Sequence, residues 1–261
     1  AISNADILLV ESTYGNKENP VDNPKKALAE VVNSSFERGG CLLIPAFAVG
    51  RTQTLIFYFK QLIEEKKIPS VPIFVDSPMG ISATGIYKRN RTFHTLHEET
   101  LQIFDFQNVR YFRSQSESIS INNIKKNAII ISSSGMCNGG RILHHLYNRL
   151  PKANDTVLFV GYQSEGTRGR KILDGEKMTR IFGEDVQVNC RIVHRDGLSA
   201  HADKLELFKW LKNFKNAPKN TFIVHGEVET MNIFAQNIKS TFGWNVTVPD
   251  YLESYELFKG I

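Results

Sequence analysis

Short apolar runs alternate with longer stretches of helical periodicity along nearly the whole chain. The strand-like runs fall at roughly 5–10, 41–46, 71–76, 107–112, 127–132, 155–161, 186–194, 220–225 and 244–248. Several, such as Ile7-Leu-Leu-Val10 and Ala128-Ile-Ile-Ile131, are continuously apolar rather than alternating, the pattern of strands covered on both faces. Between them, 24–37 places Ala27, Leu28, Val31 and Val32 at helical spacing, opened by Asp22, Asn23 and Pro24 and closed by Gly39-Gly40. Residues 50–66, 138–149, 203–214 and 227–242 read the same way, the last with Met231, Phe234, Ile238 and Phe242 as one core-facing stripe. This alternation predicts an α/β fold built on mainly parallel strands flanked by helices. A weak seam at Asp174-Gly-Glu-Lys177 marks a candidate domain boundary.

In parallel α/β sheets ligands gather beyond the carboxyl ends of the strands. Here the residues after successive apolar runs are polar and glycine-rich: Glu11-Ser-Thr-Tyr-Gly15, Pro45-Ala-Phe-Ala-Val-Gly-Arg51, Asp76-Ser-Pro-Met-Gly80, Ser132 to Arg141, Gly161 to Thr167, and His225-Gly-Glu227. Any one tract is explained by turn and helix-cap needs. Six in succession, with glutamate, histidine and arginine among them, point to one shared site. The Ser132 to Arg141 tract, with its glycines ahead of a helix, is a candidate phosphate cradle, though it is neither a Walker loop nor a GxGxxG. Arg51 and Arg141, near helix starts, are candidate phosphate contacts.

Two histidines stand apart. His225 ends an apolar strand and precedes Gly226, a setting suited to a metal ligand, although taken alone it reads first as a hydrogen-bonded structural histidine. His201 lies among the small residues Ser199, Ala200 and Ala202, ahead of Asp203 and Glu206 at capping-box spacing. Beside a carboxylate such as Glu11, it could hold a proton near neutral pH and deliver it to a leaving group. His94, His97, His144, His145 and His194 have no comparable setting and read as surface or packing residues.

Composition narrows the class. Forty-one per cent hydrophobic residues in 261 supply a real core, and no apolar run approaches the ~20 residues of a membrane-spanning helix. A net charge of +5, from 32 basic and 27 acidic residues, is only a hint of a polyanionic partner. Three widely spaced cysteines without a CxxC pair speak against a cysteine zinc site and for a reducing cytoplasm.

Together, "ADILLVESTYGN", "LLIPAFAVGRTQ", "SSSGMCNGGRILHHL", "GYQSEGTRGR", "GLSAHAD" and "VHGE" resemble, in order and over nearly the whole chain, the β-CASP nucleases, the RNA-processing branch of the metallo-β-lactamase superfamily. The resemblance is to bacterial and archaeal homologues of the endonuclease subunit of the cleavage and polyadenylation specificity factor, with ribonuclease J more distant. It implies a zinc-dependent hydrolase of single-stranded RNA. Glu11 resembles the acidic motif A, His201 the motif B histidine that acts as general acid, and His225 the motif C zinc ligand. Two zinc ions would bind the phosphate and activate the attacking water. Ser199 and the 132–141 and 161–167 loops, including Ser134, Gly135, Gly161 and Tyr162, would contact phosphates.

The resemblance also implies 1–14 and 186–261 as parts of the lactamase fold and 15–185 as the inserted β-CASP module. The family's HxHxDH zinc motif has no counterpart here, and no HxH occurs anywhere in the sequence. The chain is therefore expected to be a C-terminal portion of a longer enzyme, metal-free or metal-poor and inactive alone. It would leave an apolar sheet face open to the missing N-terminal half, to a companion chain or to a second copy. A stand-alone RNA-binding or scaffolding module and one chain of a two-chain enzyme are the alternatives.

Overall fold

The computed structural model describes residues 2–19, 23–93 and 102–257; Asp22, His94 and His97 lie outside the described residues. The chain forms two compact units, Ala1–Pro20 with Ser199–Ile261, and Val21–Leu198.

The larger unit is built on a six-stranded parallel sheet in the order β4-β3-β5-β2-β6-β9. The strands are β2 (Leu42–Pro45), β3 (Ile73–Asp76), β4 (Val109–Tyr111), β5 (Ile129–Ser132), β6 (Thr156–Phe159) and β9 (Arg191–His194). Every residue of β2, β3, β5 and β6 is buried, which is why these runs are apolar throughout instead of alternating. Successive side chains enter opposite cores. Leu42 and Ile44 pack with Leu28, Val32, Leu55 and Phe59 of helices α1 (Pro24–Glu37) and α2 (Arg51–Glu64). Leu43 and Ile130 pack with Ile142 and Leu146 on the other face. Each such aliphatic side chain contributes about 1.5–3 kcal/mol by leaving water.

Helix α1 starts where the sequence directs it, with the Asn23 side chain accepting from Lys25 N and Pro24 in the first turn. The remaining helices of this unit are α3 (Pro78–Arg89), α4 (Gln115–Ser120), α5 (Ile142–Arg149) and α6 (Arg168–Leu173). The sequence pattern misses α3, whose two glycines blur its periodicity, and α4 and α6, which have six residues each. Helix α5 begins four residues later than the predicted 138, because the preceding glycine-rich tract stays irregular.

The predicted strand 186–194 is two strands. β8 (Glu184–Gln187) forms an antiparallel hairpin with β7 (Met178–Ile181), whereas β9 pairs in parallel with β6 in the large sheet. Between them Val188 N donates to Lys177 O, and Asn189 N and Cys190 N both donate to Leu150 O, so the backbone turns out of one ladder before entering the other. The passage to the smaller unit falls at Leu198–Ser199.

The smaller unit has a three-stranded parallel sheet, β1 (Ile7–Glu11), β10 (Asn220–Val224) and β11 (Val246–Thr247), with β10 central. Leu8, Val10 and Ile223 are buried against Leu207 and Leu211 of α7 (Lys204–Leu211) and Phe234 and Ile238 of α8 (Val228–Phe242). On the opposite face Leu9 is exposed, while its register partner Phe222 is covered by the ring of Tyr255, 4.9 Å away. The expected open apolar face is thus partly covered by the chain's own C-terminal stretch. Among the described residues, no helix is long and apolar enough to cross a membrane.

Candidate acid–base and metal-ligand site

The parallel pairing of β1 with β10 sets Glu11 beside Val224, so that Ser12 and Thr13 emerge next to His225 beyond the carboxyl ends of two adjacent strands. Ser12 N and the Ser12 hydroxyl donate to His225 O and Val224 O. A side chain on Gly226 would place its Cβ 2.4 Å from the Ser12 Oγ, so only glycine fits there. His225 itself takes a left-handed backbone, φ +54°, a conformation uncommon outside glycine and found where surroundings over-determine it.

The third segment is brought in by Asp203. Its backbone bridges to Tyr14, and its carboxylate accepts from Asn19 N at 2.8 Å and from Glu206 N at 2.9 Å. Glu206 returns the bond to Asp203 N, completing the capping box expected at the start of α7. The cap therefore does two things: it starts the helix and it ties the 199–203 loop to the 14–19 segment. Ser199 Oγ accepts from His201 N within that loop.

The result is one cluster. His201 Nδ1 lies 3.1 Å from Glu11 Oε1, and Thr13 N donates to Glu11 Oε2 at 3.0 Å. The His201 and His225 rings stack at 5.3 Å, and His225 Nδ1 is 4.0 Å from Glu11 Oε2. Side-chain exposure rises from 29% at Glu11 through 40% at His201 to 65% at His225, so the carboxylate sits deeper than the two rings that reach solvent. Burial pushes the Glu11 carboxyl up, but the Thr13 amide and hydroxyl and the His201 ring outweigh it and hold Glu11 below the usual carboxylate range. An ionised carboxylate facing Nδ1 leaves the far nitrogen of His201 to exchange a proton with a ligand.

One oxygen donor and two imidazoles, with ligand atoms all within 4.8 Å of one another, make the only three-residue His/Cys/Asp/Glu group among the described residues. This donor chemistry fits a zinc-type ion. Both Glu11 oxygens are already engaged, so His225, the most exposed member, is the residue best placed to give a nitrogen to a metal.

The chain matches the Beta-Casp domain over residues 52–172 and the Zn-dependent metallo-hydrolase RNA specificity domain over 185–249. It is 32% identical to transcription termination factor FttA of Thermococcus kodakarensis, over 97% of this chain and 41% of the relative. It is 30% identical to ribonuclease TTHA0252 of Thermus thermophilus, over 87% and 53% respectively. With the RNase J-like protein of Methanocaldococcus jannaschii the identity is also 30%, over 95% and 58%. The chain belongs to the β-CASP metallo-β-lactamase family. It spans about half the length of the curated relatives it matches.

The other candidate residues lie in the larger unit, which contains the β-CASP match. Ser134 and Gly135 follow β5, and the Phe47 ring packs so closely on Gly135 that a Cβ there would lie 3.1 Å from it. Arg51 opens α2, and Gly161 and Tyr162 follow β6, all partly exposed. Arg141 differs from its sequence reading. Its Nη1 donates to Asp76 Oδ1 at 2.6 Å and to Phe112 O, and its Nη2 donates to Arg113 O. It is an internal clamp rather than a phosphate contact, because the buried Asp76 carboxylate demands a counter-charge.

The same carboxylate accepts from Ser118 Oγ and from His145 Nε2, at 2.6 and 2.7 Å. His145 is thus a buried packing residue with a specific partner. His144 lies against Phe182 with ring centroids 4.6 Å apart and planes tilted by 34°, and His194 lies 3.5 Å from Asp196. Sequence reading missed Thr13, which lay inside a recognised tract but carries no charge, and Asp76, which looked like a strand-end cap.

Proposed function

We propose that this chain is the β-CASP-bearing portion of a zinc-dependent hydrolase that cleaves single-stranded RNA. The observation that carries the reading is the 3.1 Å contact between Glu11 and His201 with His225 stacked alongside, three residues from distant parts of the sequence. The matched domain described as conferring RNA specificity, and a relative named as a ribonuclease, support the substrate class. The Beta-Casp match over 52–172 supports a β-CASP module within 15–185, and the RNA specificity match over 185–249 supports a second segment after it; 1–14, outside both matches, is proposed as a lactamase strand on the ground of its parallel pairing with β10.

In this reading Glu11 accepts from His201 Nδ1 and fixes the ring. His201 then donates from Nε2 to the oxygen that leaves when the phosphodiester breaks. His225 would hold zinc, which when bound activates water and stabilises charge on the phosphate. Ser199 steadies the His201 loop and would contact a phosphate oxygen; Arg51, Ser134, Gly135, Gly161 and Tyr162, at strand ends of the larger unit, would contact RNA.

A dinuclear centre needs more ligands than Glu11, His201 and His225 supply, and the sequence has no HxHxDH stretch. On its own the chain is therefore inactive and metal-poor, and a segment bearing that motif, from the same polypeptide or a partner, completes the enzyme. The test is cleavage of single-stranded RNA by the complete protein with and without a zinc chelator. Loss of cleavage on chelation, restored by added zinc, is expected; cleavage that survives full zinc removal overturns the mechanism.

A further inference from the structure

Thr13 is buried and uncharged, yet its hydroxyl reaches both histidines of the site. Thr13 Oγ1 lies 3.1 Å from His225 Nδ1, 3.4 Å from His201 Nδ1 and 3.2 Å from the His225 carbonyl oxygen. A hydroxyl has one proton to give and two lone pairs to offer. The carboxylate of Glu11 only accepts, so His201 Nδ1, 3.1 Å from it, carries hydrogen, and towards that nitrogen Thr13 can only be an acceptor. The His225 carbonyl, like the Glu11 carboxylate, only accepts, and the hydroxyl proton goes to one of these two. One lone pair of Thr13 remains, and it faces His225 Nδ1.

With the hydroxyl proton placed on such an acceptor, Thr13 and both Nδ1 atoms are satisfied together when His225 Nδ1 also carries its hydrogen. We infer that Thr13 is a positioning residue that holds His225, together with Glu11-bound His201, in the Nδ1–H tautomer, so that Nε2 of each ring keeps the lone pair. For His225 that is the nitrogen a metal takes; for His201 it is the nitrogen that receives and passes a proton. Left to water, a neutral imidazole places its hydrogen mainly on Nε2, and a ligand histidine needs its other nitrogen hydrogen-bonded to reverse that preference. In most such sites a carboxylate or backbone carbonyl does this. Here Glu11 is committed to His201 and Thr13 N, and the left-handed turn at His225 folds that residue's own carbonyl under the Thr13 hydroxyl.

The consequence for zinc and for proton transfer rests on the function proposed above, but the tautomers can be read without metal or substrate. The chain, labelled with 15N-histidine and kept at about pH 9, where imidazoles are neutral, is examined by long-range 1H–15N correlation. The expected result is a pyrrole-type Nδ1 and a pyridine-type Nε2 for both His201 and His225. Thr13→Val should turn His225 into mostly the Nε2–H form while His201, still held by Glu11, keeps Nδ1–H; Thr13→Ser should restore the wild-type pattern. A wild-type His225 found mainly as Nε2–H overturns the inference whether or not any variant folds, as does a His225 pattern unchanged by valine. Chelator-resistant cleavage, by contrast, would remove the zinc reading and leave the tautomer result standing.

Discussion

Among the described residues, two carboxylate–imidazole pairs have an acid that is the last residue of a parallel strand, and they differ mainly in burial. Glu11 ends β1 and meets His201 at 3.1 Å; Asp76 ends β3 and meets His145 at 2.7 Å. The first pair is 29% and 40% exposed, the second 0% and 1%. In both, burial raises the acid and hydrogen bonds more than reverse it, holding the carboxyl below its ordinary value. Asp76 needs His145, Ser118 and Arg141 to do so, since a fully enclosed charge without partners is untenable. Glu11 manages with Thr13 and His201, and its partner ring still reaches solvent. The same chemistry is therefore a cross-brace where it is sealed and, in the function proposed above, a proton-transfer device where one ring edge is open.

Mutations should pull the two pairs apart. The largest effect belongs to the open pair: in the complete protein, His201→Ala should lower RNA cleavage by about 10²–10⁴-fold while bound zinc and the unfolding midpoint stay nearly unchanged. Equal zinc loss in His201→Ala and His225→Ala would refute the division of roles between them. At the sealed pair, Asp76→Asn should cost about 3 kcal/mol in urea denaturation, because it leaves Arg141 facing a neutral amide and removes an acceptor from His145. His145→Ala should cost about 2 kcal/mol through a cavity and a lost charged hydrogen bond, with little change in turnover per folded molecule.

Acid should separate the pairs too. The Asp76 carboxyl titrates lower in the folded chain than in the unfolded one. Its contribution is present above the unfolded value of about 4 and is lost as pH falls through the lower folded value. Unfolding free energy measured from pH 5 downwards should drop, and Asp76→Asn should flatten part of that drop, whereas Glu11→Gln should flatten less because the half-exposed Glu11 is screened. The smallest effect is at the cap: Asp203→Ala should cost about 1–2 kcal/mol, seen in the same denaturation series. It should also weaken cleavage by loosening the loop that carries His201.

Much of this was legible in the amino-acid order. Continuously apolar strands, the Asn23-Pro24 start of α1 and the Asp203–Glu206 capping box all depend on neighbours within a few residues. Glu11, His201 and His225 could be picked out because charged or titratable groups beside small residues and glycines are conspicuous. The pairing of Arg141 with Asp76 could not be read, because Phe112, Arg113 and Ser118 join the same cluster from other parts of the chain. The division of 186–194 was equally hidden, since its cause is the Leu150 carbonyl and the Lys177 turn, not anything in the segment's own residues.

By itself, then, the sequence determined the apolar sheet strands and the long periodic helices, which residues could do chemistry, and the family to which they belong. Periodicity, capping and side-chain chemistry are local properties, and they survive without coordinates. Only the tertiary structure decided which imidazole is sealed and which is open, that Arg141 is a brace, and that an uncharged threonine stands between two histidines. Burial and hydrogen-bond partnership are properties of segments far apart in the chain, brought together by the parallel register of β1 with β10 and the Tyr14–Asp203 bridge.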